Sequence, residues 1–328
     1  MASPRPTASG TAATIVVTPS ASSSRSAAYS RAAIAAGSSG SSMALIDGGS
    51  AAAASTDAGA SAPTGPGARA QAQWAAFADD AELDAAIARI GAPAIIKARR
   101  SGYDGKGQVR IETAADAVAA WHRIGQPAAT VEELVRFTRE ISVVLARATT
   151  GEIAIYPIAE NVHRRHVLHT TRAPAPMAPG QQAAAERIAA TIATALDHVG
   201  VMAVELFELP DGALYVNEIA PRTHNSGHYT YGACATSQFE QHIRAVCGLP
   251  LGSPRQLTGA VMINLIGDLW AGGEPHWQHV LARPEARLHL YGKLHPARGR
   301  KMGHVLLLDD DTDRALAGVD DLLARLAT

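Results

Sequence analysis

The sequence predicts a mixed fold of the α/β (α+β) class for residues 74–328. Two apolar, β-branched runs, 201–209 and 213–219, are joined by the Pro-Asp-Gly turn 210–212, and Asp-Gly between such runs is a strong hairpin signal. The segment before them, 179–199, carries apolar residues at helical spacing. Strands and helices also follow one another along the rest of this region, which favours a mixed fold.

Length and composition describe a globular protein with no bias towards a charged partner. The 328 residues suffice for two or three domains, with 47% hydrophobic and 18% charged residues. A net charge of −1 indicates neither nucleic acid nor a membrane surface as partner, and no run reaches the roughly 18 apolar residues of a membrane span. Cys234 and Cys247 have no metal-ligand spacing and predict no disulfide framework, so we expect a reducing, cytoplasmic location.

Residues 1–73 differ in composition from the rest of the chain. They consist mostly of Ala, Ser, Gly, Thr and Pro, and short apolar runs interrupt them at 15–17 and 43–46. Such a segment buries too little apolar surface to offset its chain entropy, so we expect it to be disordered. Because it contains Ser and Arg but few acids, it weakly resembles an organelle transit peptide. Translation of a GC-rich gene in the wrong frame is the alternative.

The first elements predicted in the globular region are a helix and a strand. Asp79 and Glu82 have the spacing of a capping box, and Gly91 ends the helix that they open. The strand at 93–97 is short and apolar, and it finishes with Lys97. A lysine at the end of a buried strand is a candidate binding residue.

The glycine-rich loop 102–108 connects this strand to a second one at 109–111. Its three glycines let backbone N–H groups approach phosphate oxygens, and Lys106 adds a positive charge. A strand on each side makes the segment a strand–loop–strand flap, unlike the strand–loop–helix of Walker and Rossmann sites. We interpret it as a candidate phosphate-binding flap, with an ordinary surface loop as the alternative.

The remaining elements follow from periodicity and turn signals. Helices are predicted at 114–124, 179–199, 238–247 and the C-terminus, and strands at 140–146, 152–158, 259–266, 287–290 and 304–308. The third of these helices carries the apolar residues Phe239, Ile243 and Val246, and it ends at Gly248. Residues 130–135 are interpreted as a connector, and the His-rich stretch 163–166 lacks the ligand spacing of a zinc site.

Glu205 and Glu218 form the sharpest functional prediction from the residues alone. If Asp211 and Gly212 are the two central turn residues, these glutamates face each other across the hairpin, with Cβ atoms about 4.5–5.5 Å apart. Opposed like charges destabilise a hairpin, whereas a hard cation such as Mg²⁺ bridging to phosphates would reverse the effect. A solvated face on an edge hairpin is the alternative. Residues 221–226 follow directly with a cation donor, an imidazole, an amide and a hydroxyl, which suit an anionic substrate.

Four segments carry a family resemblance. They are 97–108 (KARRSGYDGKGQ), 216–228 (VNEIAPRTHNSGH), 261–267 (VMINLIG), and 291–293 (YGK) with 299–304 (GRKMGH). In this order and spacing they resemble the 5-(carboxyamino)imidazole ribonucleotide synthases, ATP-grasp ligases of purine biosynthesis. The resemblance implies an ATP-grasp domain at 74–250, with a hinge between two subdomains near 132–135, and a small β-rich C-terminal domain at 251–328. The doubly wound domain with which this family normally opens has no match in 1–73, where the low-complexity segment stands instead.

The resemblance also implies roles for individual residues. The ATP-binding residues would be Lys97, Gly102, Tyr103, Asp104, Gly105, Lys106, Gly107, Gln108, Glu132, Glu133, Leu134, Val135, Glu140, His163, Asn217 and Glu218. The Mg²⁺ ligands would be Glu205 and Glu218. The catalytic residues would be Arg222, His224, Asn225, Lys293 and Arg300, and the substrate-binding residues Arg222, Asn225, Ser226, Lys293 and Arg300.

The chemistry that the resemblance implies is an ATP-dependent carboxylation. Bicarbonate would attack the γ-phosphate to give carboxyphosphate and ADP, and the amine of 5-aminoimidazole ribonucleotide would then capture the carboxyl group. Such phosphoryl transfer depends on positioning and charge neutralisation. The partners expected are these small molecules and a second copy of the chain. Two alternatives stay open: another ATP-grasp enzyme, such as a formate-using glycinamide ribonucleotide transformylase or a biotin carboxylase, and an ATP-binding remnant without catalysis.

Overall fold

The computed structural model of the chain describes residues 12–20, 28–37, 71–100 and 107–327. Most of the segment 1–73, expected to be disordered, lies outside the described residues. Its two described stretches, β1 (Ala12–Ser20) and β2 (Ala28–Gly37), form a two-stranded antiparallel sheet. Among the described residues, no helix is both long enough and apolar enough to cross a bilayer.

A four-stranded antiparallel sheet with two helices on it follows this hairpin. Its strands are β3 (Trp74–Phe77), β4 (Ala94–Ala98), β5 (Gln108–Ile111) and β6 (Ala129–Glu133), in the order β3-β6-β4-β5. Its helices are α1 (Asp80–Ile90) and α2 (Ala117–Arg123), the latter preceded by the 3-10 turn Ala114–Asp116. The Phe77 and Trp121 rings meet edge to face in the core, with centroids 5.4 Å apart.

The predicted start and end of α1 are confirmed. The Asp79 carboxylate accepts a hydrogen bond from the Glu82 backbone N–H at 2.8 Å. The Glu82 side chain accepts from Ala78 N–H at 2.7 Å instead of from Asp79, so the capping box is only half formed. Gly91 ends the helix with φ +82°, a conformation that glycine adopts at little cost.

A nine-stranded sheet, in which every neighbouring pair is antiparallel, forms the larger part of the molecule. Its strands are β7 (Arg139–Arg147), β8 (Ile153–Ile155), β9 (Ala159–Arg164), β10 (Val167–Ala173), β11 (Gly200–Glu208), β12 (Leu214–Ala220), β13 (Ala260–Ile266), β14 (Ala286–Leu290) and β15 (Lys301–Leu308). The order is β12-β11-β7-β9-β10-β13-β15-β14, and β8 pairs with β7. Because β13 pairs with β10, the predicted C-terminal domain 251–328 shares this sheet, and the proposed division at 250 remains a prediction.

Helices and short helical turns cover both faces of the large sheet. They are α3 (Pro179–Ala195), α4 (Thr230–Ala233), α5 (Gln238–Val246), α6 (Gln278–Leu281), α7 (Thr312–Ala317) and α8 (Val319–Ala327), with 3-10 turns at Asn225–Gly227 and Gly267–Trp270. Helix α3 packs its buried alanines and Ile192 against β7, β11 and β12. Helices α7 and α8 pack against β13 and β15. The mixed fold class predicted from the sequence is confirmed by this arrangement.

Three sequence predictions about elements are wrong. Residues 130–135 were expected to form a connector, but β6 occupies 129–133 and pairs on both sides, with β3 and β4. The helix predicted at 179–199 ends at Ala195, and Asp197 adopts φ +46°, which no helix continues through. The helix predicted at 238–247 ends one residue earlier, at Val246.

Helix α5 turns its apolar face to solvent. Phe239, Ile243 and Val246 are 41%, 57% and 46% exposed, whereas Gln238 and Gln241 are completely buried. Apolar periodicity predicts the inner face of a helix only when apolar neighbours fill the space beneath it. Here the buried amides bond the backbone of adjacent loops, and those bonds determine which face lies inside.

Candidate active site

A cavity of about 360 Å³ lies between the four-stranded sheet and the nine-stranded sheet. The small sheet contributes residues of β4, β5 and β6, and the large sheet contributes residues of β7, β9, β11 and β12. The lining includes these residues from the predicted site: Lys97, Gln108, Glu132, Glu133, Leu134, Val135, Glu140, His163, Glu205, Asn217, Glu218, His224 and Asn225. The two sheets therefore bring together residues more than a hundred positions apart in the chain.

The β11–β12 hairpin places Glu205 directly opposite Glu218, as predicted. The turn itself differs from the prediction, because Leu209 N–H bonds Ala213 O and leaves a three-residue loop, 210–212. Gly212 occupies the left-handed position of this loop with φ +81°. Such a loop displaces the pairing by one residue compared with a two-residue turn.

A β-bulge in β12 restores the predicted pairing. The register of β12 shifts by one residue between the pair Glu205–Glu218 and the pair Leu206–Val216, so Asn217 is the extra residue. A bulge of this kind re-aims side chains that would otherwise point to opposite faces. Asn217 and Glu218 accordingly both line the cavity although they are consecutive in the chain.

Three carboxylates crowd the wall of the cavity formed by the large sheet. Burial, followed by the charge of Glu218, raises the pKa of Glu140 to about 8. Burial, followed by the charges of Glu218 and Glu140, holds the pKa of Glu205 well above its usual range. Among the described residues, no three metal-binding side chains already converge on one point. A cation that enters the cavity together with a bound ligand would therefore stabilise this cluster of three carboxylates.

Lys97 faces the cavity from the small sheet. Its Nζ lies 2.5 Å from Glu132 Oε2, and the lysine side chain is 10% exposed. Thr130 lies opposite Lys97 on the neighbouring strand β6, and its hydroxyl donates to Glu132 Oε1 at 3.3 Å. These contacts hold a buried cation at the edge of the cavity, on the sheet that faces the carboxylates.

The segment that follows β12 places the imidazole of His224 next to Glu205. His224 Nε2 lies 3.4 Å from Glu205 Oε1, while His224 Nδ1 lies 2.9 Å from the Ser226 hydroxyl and 3.3 Å from Ser226 N–H. Burial, followed by the charges of Arg222 and Lys301, lowers the pKa of His224 to about 3. The ring is therefore neutral at physiological pH, and with Nδ1 as acceptor its remaining proton is directed at Glu205.

Two polar groups in the cavity wall lack partners among the described residues. Both polar atoms of the Asn225 side chain are buried without a hydrogen bond. Glu140 Oε1, 3.4 Å from His163 Nδ1, is also buried without one. Buried polar atoms are normally bonded, and unsatisfied ones cost on the order of 1–3 kcal/mol each. A polar ligand that formed hydrogen bonds with these atoms would therefore remove that cost and bind more tightly.

Several predicted site residues do not line this cavity, and others lie outside the described residues. The stretch 102–106 belongs to the latter, and Gly107 is a described residue that does not line the cavity. Arg222 and Ser226 flank the lining residues His224 and Asn225 without joining the lining. Lys293 donates to Lys301 O at 2.5 Å, and Arg300 donates to His295 O at 2.7 Å, both in the loop that precedes β15.

The structure also adds residues that the sequence analysis missed. Lys301 lines the cavity in place of its neighbour Arg300, and His166 and Thr130 contribute polar groups. Phe137 and Phe207 stack face to face, with ring centroids 4.2 Å apart and planes 4° from parallel. Lys301 lies inside the GRKMGH segment, which was the one available signal. The two phenylalanines are 70 positions apart and carry no local signal.

Three imidazole rings stack beside the segment that carries His224. His304 lies between His228 and His289, with ring centroids 4.6 Å apart on each side, and its Nδ1 lies 2.9 Å from the Tyr291 hydroxyl. Burial, followed by the neighbouring imidazoles, lowers the pKa of His228 to about 4 and that of His304 to about 3. Burial also lowers the pKa of His289. All three rings are therefore neutral at pH 7.

This stack predicts a loss of stability in acid. The unfolded chain takes up protons on these histidines near pH 6.5, while the folded rings resist protonation until about pH 4 or 3. The contribution of this stack to the free energy of unfolding should therefore be constant above about pH 7 and fall as the pH drops through 6.5. Urea unfolding at pH 5 and 7.5 should show a smaller difference for His304→Phe than for wild type. An unchanged pH dependence in that variant, or an equal change in the exposed control His276→Phe, would contradict the assignment.

Comparison with known proteins places the chain in a family. The ATP-grasp domain model matches residues 68–239, and the phosphoribosylaminoimidazole carboxylase C-terminal domain model matches residues 260–318. The N5-carboxyaminoimidazole ribonucleotide synthase of Brucella melitensis is 47% identical over 236 residues, covering 71% of this chain and 64% of that protein. The synthase of Bacillus subtilis is 44% identical, covering 71% of this chain and 60% of its own length. The chain thus spans about six-tenths of the length of these curated relatives.

Solved structures show the same likeness. An N5-carboxyaminoimidazole ribonucleotide synthetase from Thermus thermophilus matches with a TM-score of 0.70 and 39% identity, covering 78% of this chain and 68% of that one. A carboxyaminoimidazole ribonucleotide synthase from Aspergillus clavatus, complexed with ATP, matches with a TM-score of 0.71 and 31% identity, covering 78% and 69%. The resemblance stated from the four sequence segments is thereby confirmed. The chain belongs to the ATP-grasp family, in its N5-carboxyaminoimidazole ribonucleotide synthase branch.

Proposed function

We propose that the chain carboxylates 5-aminoimidazole ribonucleotide with bicarbonate at the expense of ATP, giving N5-carboxyaminoimidazole ribonucleotide, ADP and phosphate. The observation that carries the proposal is one cavity with Glu205 and Glu218 opposed on one sheet and Lys97 on the other. Carboxylates and a buried lysine are the groups that a metal-bound triphosphate requires. The family of the chain supplies the substrate class.

The nucleotide is proposed to lie between the two sheets. Lys97 and the 102–108 loop would contact its phosphates, and the chain at 132–135 would bond the adenine. Glu140, His163 and Asn217 would complete this site. Support comes from the position of these described residues in the cavity lining, and from the Aspergillus clavatus structure complexed with ATP.

The residues present fit a magnesium ion. Glu205 and Glu218 are the proposed ligands, because they face each other across the hairpin and the pKa of Glu205 lies well above its usual range, and a hard cation would stabilise such a pair of carboxylates. When bound with the nucleotide, the ion would neutralise charge on the phosphate oxygens. The neutral His224 ring then orients Glu205 through its remaining N–H.

The proposed reaction has two stages. A bicarbonate oxygen bonds to the γ-phosphorus, the bond to the ADP oxygen breaks, and carboxyphosphate forms. Carboxyphosphate then loses phosphate as its carboxyl group is released as CO₂, and the amine nitrogen of the ribonucleotide bonds to that carbon and gives up a proton. Asn225 and Arg222 would hold the bicarbonate, and the unpartnered Asn225 amide supports that role. The reaction requires that water be kept from the intermediate, which it would hydrolyse, and a site between the two sheets suits that requirement.

The ribonucleotide is proposed to bind beyond the cavity, against Ser226, Lys293 and Arg300. The cationic groups of Lys293 and Arg300 lie outside the lining and donate to backbone carbonyls. Support for this substrate comes from an Aspergillus clavatus structure in complex with ADP and 5-aminoimidazole ribonucleotide. Binding would require these side chains to exchange their carbonyl partners for phosphate oxygens.

A cytoplasmic homodimer is part of the proposal. The exposed apolar stripe of α5, formed by Phe239, Ile243 and Val246, is a surface that a second copy could cover. A solution mass of one chain at micromolar concentration would refute the dimer. An ATP-binding protein without catalysis is the second candidate function, and the side chains of Lys293 and Arg300 favour it, because they donate to backbone carbonyls outside the cavity lining.

The proposal is tested with the full chain, ATP, Mg²⁺ and bicarbonate, with and without 5-aminoimidazole ribonucleotide. We expect release of ADP and phosphate to require bicarbonate and to rise when the ribonucleotide is added, with the carboxylated product appearing in equal amount. ADP release that never responds to the ribonucleotide would contradict the proposed substrate. Binding of an ATP analogue without any turnover would favour the non-catalytic alternative.

A further inference from the structure

Two glutamines on helix α5 are completely buried and make matching contacts. Gln238 and Gln241 are both 0% exposed, which is unusual for an uncharged polar side chain of this size. Each amide accepts a hydrogen bond from one backbone N–H and donates one to the carbonyl oxygen of the same residue. Each glutamine side chain therefore bonds both the N–H and the C=O of one loop residue, as the backbone of a neighbouring β-strand does.

Gln238 makes this pair with His224, which lines the cavity. Gln238 Oε1 accepts from His224 N–H at 2.9 Å, and Gln238 Nε2 donates to His224 O at 2.7 Å. The second N–H of the same amide donates to His228 Nδ1 at 3.0 Å. All of the hydrogen-bonding groups of the amide are thus directed at one segment, 224–228.

Further contacts hold the same segment against the start of α5. The Gln238 backbone N–H donates to the Thr230 hydroxyl at 2.9 Å, and that hydroxyl donates to Gly227 O at 2.7 Å. A Cβ atom at Gly227 would lie 2.5 Å from Gln238 Oε1, so the glycine allows the backbone to approach the amide. No regular strand pairing holds His224 in the described structure, since the segment follows the end of β12.

We propose that Gln238 is a positioning residue for the reaction: its buried amide holds the His224 backbone, and through it directs the His224 and Asn225 side chains into the cavity. The inference rests on the proposed function for its effect on rate, but the contacts that carry it are independent of that function. Gln238 itself does not line the cavity, so its action is indirect. A misplacement of catalytic groups by about 1 Å lowers rates on the order of 10²-fold.

Gln241 is the internal control for this proposal. It lies one turn along the same helix and is equally buried, and its amide pairs with Gly252 at 2.7 Å in both directions. Gly252 lies in a loop that does not line the cavity. Substitutions at the two positions therefore remove the same kind and number of backbone contacts, from different loops.

The kinetic test compares Gln238→Met and Gln238→Glu with Gln241→Met. We expect both methionine variants to lower the melting temperature by a few degrees. Gln238→Met should also lower kcat about 10²-fold while KM for ATP stays within about twofold of wild type, because the nucleotide-binding groups lie on other strands. Gln241→Met should keep kcat within about twofold. Gln238→Glu keeps the side-chain volume and the acceptor oxygen but replaces the NH₂ donor with an oxygen. If its kcat is close to that of Gln238→Met, the loss of rate is due to the lost hydrogen-bond donor and not to a change of volume.

A second measurement separates this proposal from the proposed function. Hydrogen exchange followed by mass spectrometry should show faster exchange at residues 222–230 in Gln238→Met and unchanged exchange around Gly252, with the reverse in Gln241→Met. If wild type proves inactive but this pattern appears, the proposed function fails and the positioning contact stands. Equal kcat values in the two methionine variants, or wild-type protection of 222–230 in both Gln238 variants, would overturn the positioning role.

Discussion

The substitution Glu218→Gln is expected to reduce Mg·ATP turnover by on the order of 10³-fold or more while the fold is retained. A glutamine keeps the volume of the side chain and its place in β12, but it removes the negative charge that would hold the cation opposite Glu205. Loss of a metal's charge stabilisation costs several kcal/mol in the transition state, and each 1.36 kcal/mol is about tenfold in rate. Steady-state release of ADP at saturating nucleotide measures the effect.

The same variant, Glu218→Gln, should be at least as stable as wild type although its turnover falls. Glu218 contributes to the raised pKa values of Glu140 and Glu205. A carboxyl group whose folded pKa is raised costs stability as the pH rises above its unfolded value, so removing one charge should relieve that cost above about pH 4.5. Without metal, Glu218→Gln should therefore unfold at no lower urea concentration than wild type at pH 8.

Glu208→Gln is the matched control for this experiment. Glu208 lies on β11 three residues after Glu205 and pairs with Arg139 at 2.5 Å, outside the cavity lining. We expect this variant to lose some stability and to keep turnover near that of wild type. Wild-type turnover in Glu218→Gln, or an equal loss of turnover in Glu208→Gln, would refute the assignment of the carboxylate pair.

Lys97→Met is expected to lower kcat/KM for ATP on the order of 10²–10³-fold, as removal of one charged group from a preorganised site does. It should also destabilise the chain, because Glu132 is left without the lysine that lies 2.5 Å away. The two side chains are 10% and 18% exposed. We therefore expect a loss of roughly 2–3 kcal/mol, below the roughly 3–5 kcal/mol typical of fully buried pairs.

The double variant Lys97→Met/Glu132→Gln separates these two effects. Neutralising Glu132 removes the buried negative charge that has lost its lysine, so most of the lost stability should return. The rate should not return, since the cation is still absent from the cavity. Urea unfolding and ADP release on the single and double variants check this. Recovery of the rate together with the stability would show that Lys97 acts only as a structural partner of Glu132.

Local signals in the sequence were sufficient for much of the fold. The caps of α1 and the two strands of the β11–β12 hairpin follow from residue types within a few positions of each other. The opposition of Glu205 and Glu218 was predicted from a two-residue turn, whereas the structure reaches it by a three-residue loop and a compensating bulge at Asn217. A bulge depends on pairing with the neighbouring strands, so the turn residues alone could not reveal it.

Other features depended on contacts distant in sequence. The orientation of α5 is determined by Gln238 and Gln241 bonding loops 14 and 11 residues away, which outweighs the burial of three apolar side chains. Residues 130–135 were interpreted as a connector, whereas 129–133 form strand β6 because β3 and β4 pair with it on both sides. Lys301 and the stacked Phe137–Phe207 pair join the cavity only through the way that the sheets face each other.

A crystal structure of the chain with Mg²⁺ and a non-hydrolysable ATP analogue tests the central claim most directly. The account predicts one ion at about 2.1 Å from an oxygen of Glu205 and from an oxygen of Glu218, with the triphosphate on its far side and Lys97 within reach of a phosphate oxygen. An ion bound elsewhere, or the two carboxylates turned away from each other with nucleotide present, would contradict it.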